Sequence, residues 1–303
     1  MMSVQEACEQ LKSSLDGKNK EEVVLNIIRN SDINKRLEIC KYYAETYGKS
    51  LYSELKSKLS GYFRPLAMHL FLHPITCVAK MLKKSLKSFG GDEGVILEVL
   101  TSYTQDQLRQ IESAYKAETG LDLNKEIEKN FSGTLKKNLL NLLYTPRKEN
   151  SSPDHDYCLK MANLLNDVGE PNWAGDENIF KEVFIQSSPE ELVLIGRYYK
   201  QNSGNNMLDA IDKLSGKSKI LLRELLYNNI IPQELFAEKV YLSIKGLGTN
   251  NDLLNRVLIL RNEIDMKEIK EFYQKKYKVD MEKDIIGDTS GIYQELCLYL
   301  ANK

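Results

Sequence analysis

The sequence predicts an all-α protein made of four copies of one small helical module. In four places a tyrosine is followed 18 residues later by the glycine of a Ser-Gly pair. An interval that is kept inside units and varies between them is typical of structural repeats. The four pairs are Tyr43 with Gly61, Tyr115 with Gly133, Tyr198 with Gly216, and Tyr273 with Gly291. Apolar residues recur at helical spacing, no useful β alternation is found, and start and stop signals indicate about five short helices per module.

Proline residues mark the boundaries of the modules, because proline and the residue before it disfavour continuation of a helix. A polar segment rich in helix breakers, 147–153, is the predicted linker between the second and third modules. We expect the four modules to pack into one compact core. Their predicted ranges are 3–74, 75–146, 154–230 and 231–303.

The composition excludes several classes of protein. A net charge of −1 over 303 residues gives no general attraction to nucleic acid. No apolar run reaches the roughly 20 residues of a transmembrane helix, and no secretory signal opens the chain, so a cytoplasmic protein is expected. The five cysteines lack metal spacing and are predicted to be reduced and buried. There is no EF-hand, phosphate-binding loop or nucleophile elbow, so neither an enzyme nor a small-molecule substrate is predicted.

The fourth module contains the strongest candidate for a metal site. Two glycines in the loop 245–249 let the backbone curl until several carbonyls face one point. Calcium prefers six to eight oxygen ligands, and Asp288 supplies a carboxylate in the Asp-Thr-Ser-Gly segment of the same module. Water or a lipid phosphate could complete the shell. Each half also has a purely structural interpretation, since Asp288 could cap the next helix and the glycines could form only a turn.

Three segments of this module resemble the fourth repeat of an annexin: Lys245–Thr249, Arg261–Asp265 and Gly287–Gly291. The resemblance covers the whole chain as four repeats. It implies a curved all-α disc with calcium loops that dock on anionic phospholipid. The implied calcium ligands are the carbonyls of Ile244, Gly246 and Gly248 and the carboxylate of Asp288.

The position three residues before each Ser-Gly glycine, here called the acid slot, is occupied by Lys58, Asn130, Lys213 and Asp288 in turn. Only the last is an acid, so calcium sites in the first and third modules are predicted to be lost. Asn130 offers one neutral oxygen, which predicts a weaker second site. The resemblance implies that its ligands are Leu86, Ser88, Gly90 and Asn130, with Gly91 and Glu93 as an auxiliary pair. Glu93 is alternatively an acid in the first turn of a helix.

Several side chains are candidates for membrane contact. Lys58 and Lys213 could bind a lipid phosphate without metal, or could be solvated surface lysines. The other candidates lie at loop tips: Lys245, Leu247, Phe89 and Trp173. Aromatic rings favour the lipid interface because one end is apolar and the other tolerates water. For Trp173, the single tryptophan, burial in the module is an equal alternative.

Together these observations predict a calcium-dependent phospholipid-binding protein, cytoplasmic and peripheral on membranes. The alternative is a structural protein of the cytoskeleton or membrane cortex that works largely without calcium. The annexin-like alpha-giardins of protists offer that analogy, since their repeats also tend to lose calcium ligands. One intact acid slot is few for a purely calcium-driven protein, so the sequence leaves both functions open.

Overall fold

A computed structural model describes residues 2–87, 92–148, 152–246 and 248–303. Within these ranges every regular element is helical, which confirms the predicted all-α class. The first module comprises α1 Val4–Ser14, α2 Lys20–Arg29, α3 Ile33–Tyr47, α4 Leu51–Lys58 and α5 Phe63–His69. The second comprises α6 Pro74–Lys87, α7 Glu93–Ser102, α8 Gln105–Thr119, α9 Leu123–Asn130 and α10 Gly133–Tyr144.

The third and fourth modules complete the set. The third begins with α11 His155–Val168 and a short 3-10 turn, Glu170–Asn172; α12 is helical at Glu177–Ile179 and continues as a π-helix, Phe180–Ile185. It ends with α13 Pro189–Ser203, α14 Met207–Asp212 and α15 Gly216–Ile230. The fourth comprises α16 Pro232–Ile244, α17 Asn251–Arg261, α18 Met266–Tyr277, α19 Met281–Asp288 and α20 Gly291–Ala301. Among the described residues, no helix combines the length and apolar character needed to cross a membrane.

Local sequence explains where the long third helix of each module begins and ends. The hydroxyl of Ser188 accepts from the amide of Glu191, and the carboxylate of Glu191 accepts from the amide of Ser188, so that the two residues form a capping box at the start of α13. Thr104 and Gln107 form the same box on α8. In the first three modules this helix ends at a glycine with positive φ, and in the fourth Lys278 adopts that conformation.

The tyrosines of the 18-residue interval fill the module cores in three cases. Tyr43, Tyr115 and Tyr273 are fully buried. In the third module the buried ring is displaced by one residue from the interval tyrosine, because Tyr199 is buried and Tyr198 is half-exposed. Tyr199 and Gly216 are 17 residues apart instead of 18, and α14, the helix between them, is shorter than the corresponding helices of the first and fourth modules.

The modules pair in space out of sequence order. One compact unit contains the chain up to Cys77 together with residues 233–303, and the other contains residues 78–232. In the first unit, α5 packs against α17 and α20, and α2 packs against α20. In the second, α7 packs against α15, and α10 packs against the π-helix of α12. The boundaries predicted from the prolines stay predictions, although helices begin at Pro74 and Pro232.

A buried arginine joins the first and fourth modules inside their shared core. Arg36 is 2% exposed, and its guanidinium donates to the carbonyls of Leu70 and Ser31, each at 2.7 Å. A third contact, at 3.4 Å, reaches the carboxylate of Glu263 in the fourth module. Burial lowers the pKa of Arg36, and the charge of Glu263 opposes that shift. The paired modules therefore share polar as well as apolar contacts.

Candidate calcium and membrane site

The loop between α16 and α17 folds back on the end of α16. The amide of Lys245 donates to the carbonyl of Tyr241 at 2.9 Å, and the amide of Asn250 donates to the carbonyl of Ser243 at 2.7 Å. Gly246 and Gly248 have φ values of 136° and 88°, a region that side-chain-bearing residues rarely adopt. The two glycines are therefore required by this backbone. Leu247 lies outside the described residues, and its predicted membrane contact stays a prediction.

Asp288, the last residue of α19, lies against this loop. The hydroxyl of Thr249 is 2.6 Å from carboxylate Oδ2 of Asp288 and 2.9 Å from its backbone carbonyl. The fold thus brings together two residues that are 39 positions apart in the chain. The alternative role of Asp288 as a cap is not what the structure has: the N-cap of α20 is Ser290, without a side-chain cap bond.

A second contact between the loop and α19 was not predicted. The ammonium of Lys245 lies 3.0 Å from Oδ1 of Asp284, and the hydroxyl of Tyr273 donates to Oδ2 of Asp284 at 2.6 Å. Burial, followed by this hydrogen bond, raises the pKa of Tyr273. Lys245 also lies 5.7 Å from the centre of the Tyr241 ring. Lys245 is thus engaged with α19 in this structure, and its predicted membrane contact stays a prediction.

In the first module a lysine and an acid replace this arrangement. The ammonium of Lys58, in the acid slot, forms an ion pair with Asp16 in the loop between α1 and α2. The hydrogen bond and charge of the partner raise the pKa of Lys58 and lower that of Asp16. Nearby, Glu21 accepts from the hydroxyl of Ser60 at 3.1 Å. Lys58 is therefore paired with a carboxylate in this structure, and the hypothesis that it binds lipid phosphate stays a prediction.

The second module can be described only in part. Ser88, Phe89, Gly90 and Gly91 lie outside the described residues, so their predicted roles stay predictions; the side chain of Leu86 is buried. Glu93 is the first residue of α7 and forms an ion pair with Lys217 at 2.8 Å. Asn130 ends α9, and its amide nitrogen donates to the carbonyl of Glu126 at 2.8 Å. Calcium would have to compete with Lys217 for Glu93.

The third module closes its loop around an aromatic core. Trp173 is fully buried, its indole N–H donates to the carbonyl of Leu165 at 3.0 Å, and its ring lies edge-on to Tyr199. Of the two alternatives for Trp173, the structure has burial, so the membrane contact given for it is wrong for this conformation. The physical reason is that both its apolar body and its polar N–H are satisfied inside the module.

The acid slot of the third module offers calcium no free carboxylate. Lys213 is the exposed cap residue after α14, and the neighbouring Asp212 accepts from Arg223 at 3.0 Å. The hydrogen bond from Tyr199 to Glu170, at 2.6 Å, and to a smaller extent the charge of Lys213, lower the pKa of Glu170. The hypothesis that Lys213 binds lipid phosphate stays a prediction.

An acid that was not predicted from the sequence recurs eleven residues after the core tyrosine in three of the modules. Glu54, Glu126 and Asp284 occupy this position, and the hydroxyls of Tyr43 and Tyr273 contact the first and last. Among the described residues the hydroxyl of Tyr115 has no hydrogen-bond partner; burial, and to a smaller extent the charge of Glu126, raises its pKa to about 12. In the third module the position is an alanine, and the loop residue Glu170 replaces it. The signal was present as a constant spacing of eleven residues.

Among the described residues no group of three or more His, Cys, Asp or Glu side chains could hold a metal ion. A site made of one carboxylate and several backbone carbonyls is a different design. Calcium accepts both kinds of oxygen. The fourth module supplies the carboxylate and a loop whose backbone conformation requires glycine.

Comparisons with known proteins agree with this architecture. The annexin family model matches residues 5–70, 78–142 and 235–300. Human annexin A13 is 33% identical over 281 residues, which cover 92% of this chain and 89% of that protein. Human annexin A7 is 30% identical, but the match covers 58% of its length. The chain belongs to the annexin family, as the fourth-module motifs indicated.

Solved structures extend the likeness to the whole chain. A structure of annexin III superposes with a TM-score of 0.93 at 31% identity, covering 99% of this chain and 94% of that one. A calcium-bound annexin (Sm)1 gives 0.86 at 26% identity, with coverage of 100% and 91%. Calcium-bound alpha-14 giardin, at 16% identity, shares the fold with a TM-score of 0.82 and coverage of 99% of each chain. The family model leaves residues 143–234, which contain the third module, unmatched.

Proposed function

We propose that this protein binds anionic phospholipid membranes peripherally and in a calcium-dependent manner, through the fourth module. The observation that carries the proposal is the contact between Thr249 and Asp288, which holds a carboxylate beside a glycine-shaped loop. The carbonyls of Ile244, Gly246 and Gly248 and the carboxylate of Asp288 would hold the ion. Bound calcium would link this loop to a lipid phosphate by sharing oxygen ligands.

The donor set suits a hard cation. A carboxylate offers about four acceptor positions, so the hydrogen bond from Thr249 leaves room for a metal on Asp288. Carbonyl and carboxylate oxygens are the ligands that calcium prefers, and positions left to water allow a phosphate to complete the shell. Among the described residues, no cluster of three or more His, Cys, Asp or Glu side chains offers an alternative metal site. These features support calcium over a transition metal.

Electrostatics makes the proposed membrane binding dependent on calcium. The net charge of −1 gives no general attraction to an anionic surface. Asp288 itself repels phosphate, and the nearby ammonium of Lys245 is paired with Asp284. Without a cation the loop therefore has little to attract a headgroup. A bound divalent ion reverses the local charge.

The other modules contribute less under this proposal. The neutral Asn130 in the second module supports a weaker site, for which Glu93 is shared with Lys217. In the first module the ion pair of Lys58 and Asp16 occupies the corresponding position. In the third module Asp212 is engaged by Arg223. The expected function is binding rather than catalysis, with one strong site per chain.

Co-sedimentation with phosphatidylserine-containing vesicles tests the proposal, in calcium and in chelator. We expect the wild type to pellet only with calcium and Asp288→Asn to need much more calcium. Asp16→Asn is the matched control, because it neutralises a loop carboxylate of the first module, and it should behave as wild type. Pelleting that ignores both calcium and Asp288→Asn would overturn the proposal and favour the calcium-independent structural role, including binding to the cytoskeleton.

A further inference from the structure

Two contacts, on either side of the paired glycines, tie the fourth-module loop to α19. Thr249 reaches Asp288, and Lys245 reaches Asp284 at 3.0 Å. Asp284 and Asp288 are four residues apart, so both project from the same face of the helix. Gly246 lies between the two attachment points and is one of the residues whose backbone must curl. The loop is therefore clamped at both ends, and only one clamp involves a proposed calcium ligand.

The clamp at Asp284 is anchored in the module core. The side chain of Asp284 is 13% exposed, and it accepts the hydroxyl of the fully buried Tyr273 at 2.6 Å. The ring of Tyr241 lies 6.2 Å from that of Tyr273 and 5.7 Å from the ammonium of Lys245. An isolated surface ion pair contributes little because both side chains are mobile. Here one partner is already fixed by a buried donor, so the pair can hold the loop in one place.

We propose that Lys245 and Asp284 form a positioning pair, which holds the calcium loop in its binding conformation before the cation arrives. The inference rests on the proposed function and adds a role to two residues that are not ligands. Glycine gives the loop many accessible conformations. A loop that must be ordered on binding loses affinity, and a loop that is ordered beforehand keeps it. Lys245 therefore acts on the cation through the backbone of Gly246 and Gly248.

Lys245→Met separates this role from a simple effect of charge. The ammonium is a positive charge close to the proposed cation, so its field alone predicts that removing it tightens calcium binding. Positioning predicts the opposite sign. We expect calcium binding to weaken about fivefold, which corresponds to the upper end for a single ion pair. Asp284→Asn should weaken it as well, and the double variant should lose no more than the larger single effect, because the two residues act as a unit.

The test is calcium titration calorimetry of the full chain with phosphatidylserine vesicles, together with hydrogen exchange in chelator. Exchange at the amide of Asn250, which donates to Ser243 at 2.7 Å, reports loop order without metal. Lys245→Met should speed it. Lys276→Met is the control, since Lys276 pairs with Glu234 and Glu238 in the same module, and it should change neither measurement.

The outcomes distinguish the two proposals. Equal or tighter calcium binding by Lys245→Met, or unchanged exchange at Asn250, overturns the positioning role while leaving the calcium function intact. A wild type that binds no calcium overturns both. Weaker binding with faster exchange, both absent in Lys276→Met, supports the positioning pair.

Discussion

The first and fourth modules share one core and the same five-helix plan, yet they treat the acid slot in opposite ways. In the fourth, Asp288 lies in the slot and the loop contributes the hydroxyl of Thr249. In the first, Lys58 lies in the slot and the loop contributes the carboxylate of Asp16. In both modules a loop side chain contacts the residue in the acid slot. In the first module the positive charge there is the ammonium of Lys58, whereas in the fourth it would be a bound calcium ion. The helical scaffold therefore fixes the position of the contact and leaves its charge to two residues.

The loop backbones differ too. Gly246 and Gly248 have positive φ, whereas Gly17, the single glycine of the first loop, does not. A first-module loop with an acid in its slot would still lack the curl that directs several carbonyls to one point. The comparison therefore predicts that two changes, in the slot and in the loop, separate a calcium site from a closed ion pair.

Exchanging the slot residues should give the largest effect. Asp288→Lys removes the carboxylate and introduces a like charge beside the cation. The calcium concentration needed for pelleting with vesicles should therefore rise by more than about tenfold. Adding Lys58→Asp to this variant should not restore calcium-dependent pelleting, because Gly17 does not give the first loop the required curl. Recovery of calcium-dependent pelleting in the double variant would show that the slot alone decides.

Removing the hydroxyl of the core tyrosine should have a smaller effect, and the loss of stability should differ between the fourth and first modules. Tyr273→Phe loses a 2.6 Å hydrogen bond to a mostly buried carboxylate, and the free energy of unfolding should fall by about 1.5 kcal/mol, as for bonds to charged groups. Tyr43→Phe loses only a 3.4 Å contact to Glu54 and should cost less. Urea denaturation of both variants measures the difference. An equal loss in both would contradict the distinction drawn between the two acid partners.

Alkaline pH should test the same tyrosines without mutation. Burial raises the pKa of Tyr43, Tyr115 and Tyr199 from the ordinary 10.0 of a tyrosine to about 12. A raised pKa means that the folded state holds the proton more tightly, so this stabilisation is complete below pH 10 and is lost as pH rises through about 12. Circular dichroism and tyrosine absorbance should show unfolding together with late ionisation. Ionisation of all tyrosines near pH 10 in a protein that stays folded would be inconsistent with these buried hydroxyls.

The third module should give the smallest signal. Because Trp173 is buried and hydrogen-bonded, its fluorescence should be blue-shifted in chelator and should change little when vesicles and calcium are added. Brominated lipids, which quench tryptophan at the interface, should leave it unquenched. Strong quenching would show that the third loop opens on the membrane and that the fourth module does not act alone.

The sequence predicted the fold because its regularities are local. Core tyrosines, capping boxes and breakers lie at fixed distances inside each module, and those distances follow from helix geometry. The 18-residue interval identified the wrong tyrosine in the third module, where α14 is shorter and the buried ring is Tyr199 instead of Tyr198. Because Tyr198 and Tyr199 are adjacent, the sequence alone does not show that the third module is one residue shorter and that the second tyrosine is the buried one.

The site was only partly predictable for a related reason. Asp288 could be found by counting, because its slot is defined within a module. The pairs of Lys58 with Asp16 and Lys245 with Asp284 depend on which way long side chains turn, and a lysine has many rotamers of similar energy. The burial of Trp173 was an open alternative, because a loop aromatic suits either the core or an interface.

The fourth module is predicted to hold the strongest calcium site of the chain. Diffraction from calcium-soaked crystals, with anomalous maps, tests it most directly. We predict that the strongest peak lies about 2.3–2.6 Å from the carboxylate of Asp288 and from the carbonyls of Ile244, Gly246 and Gly248. A strongest peak in another module, or no peak beside Asp288 at saturating calcium, would contradict the account.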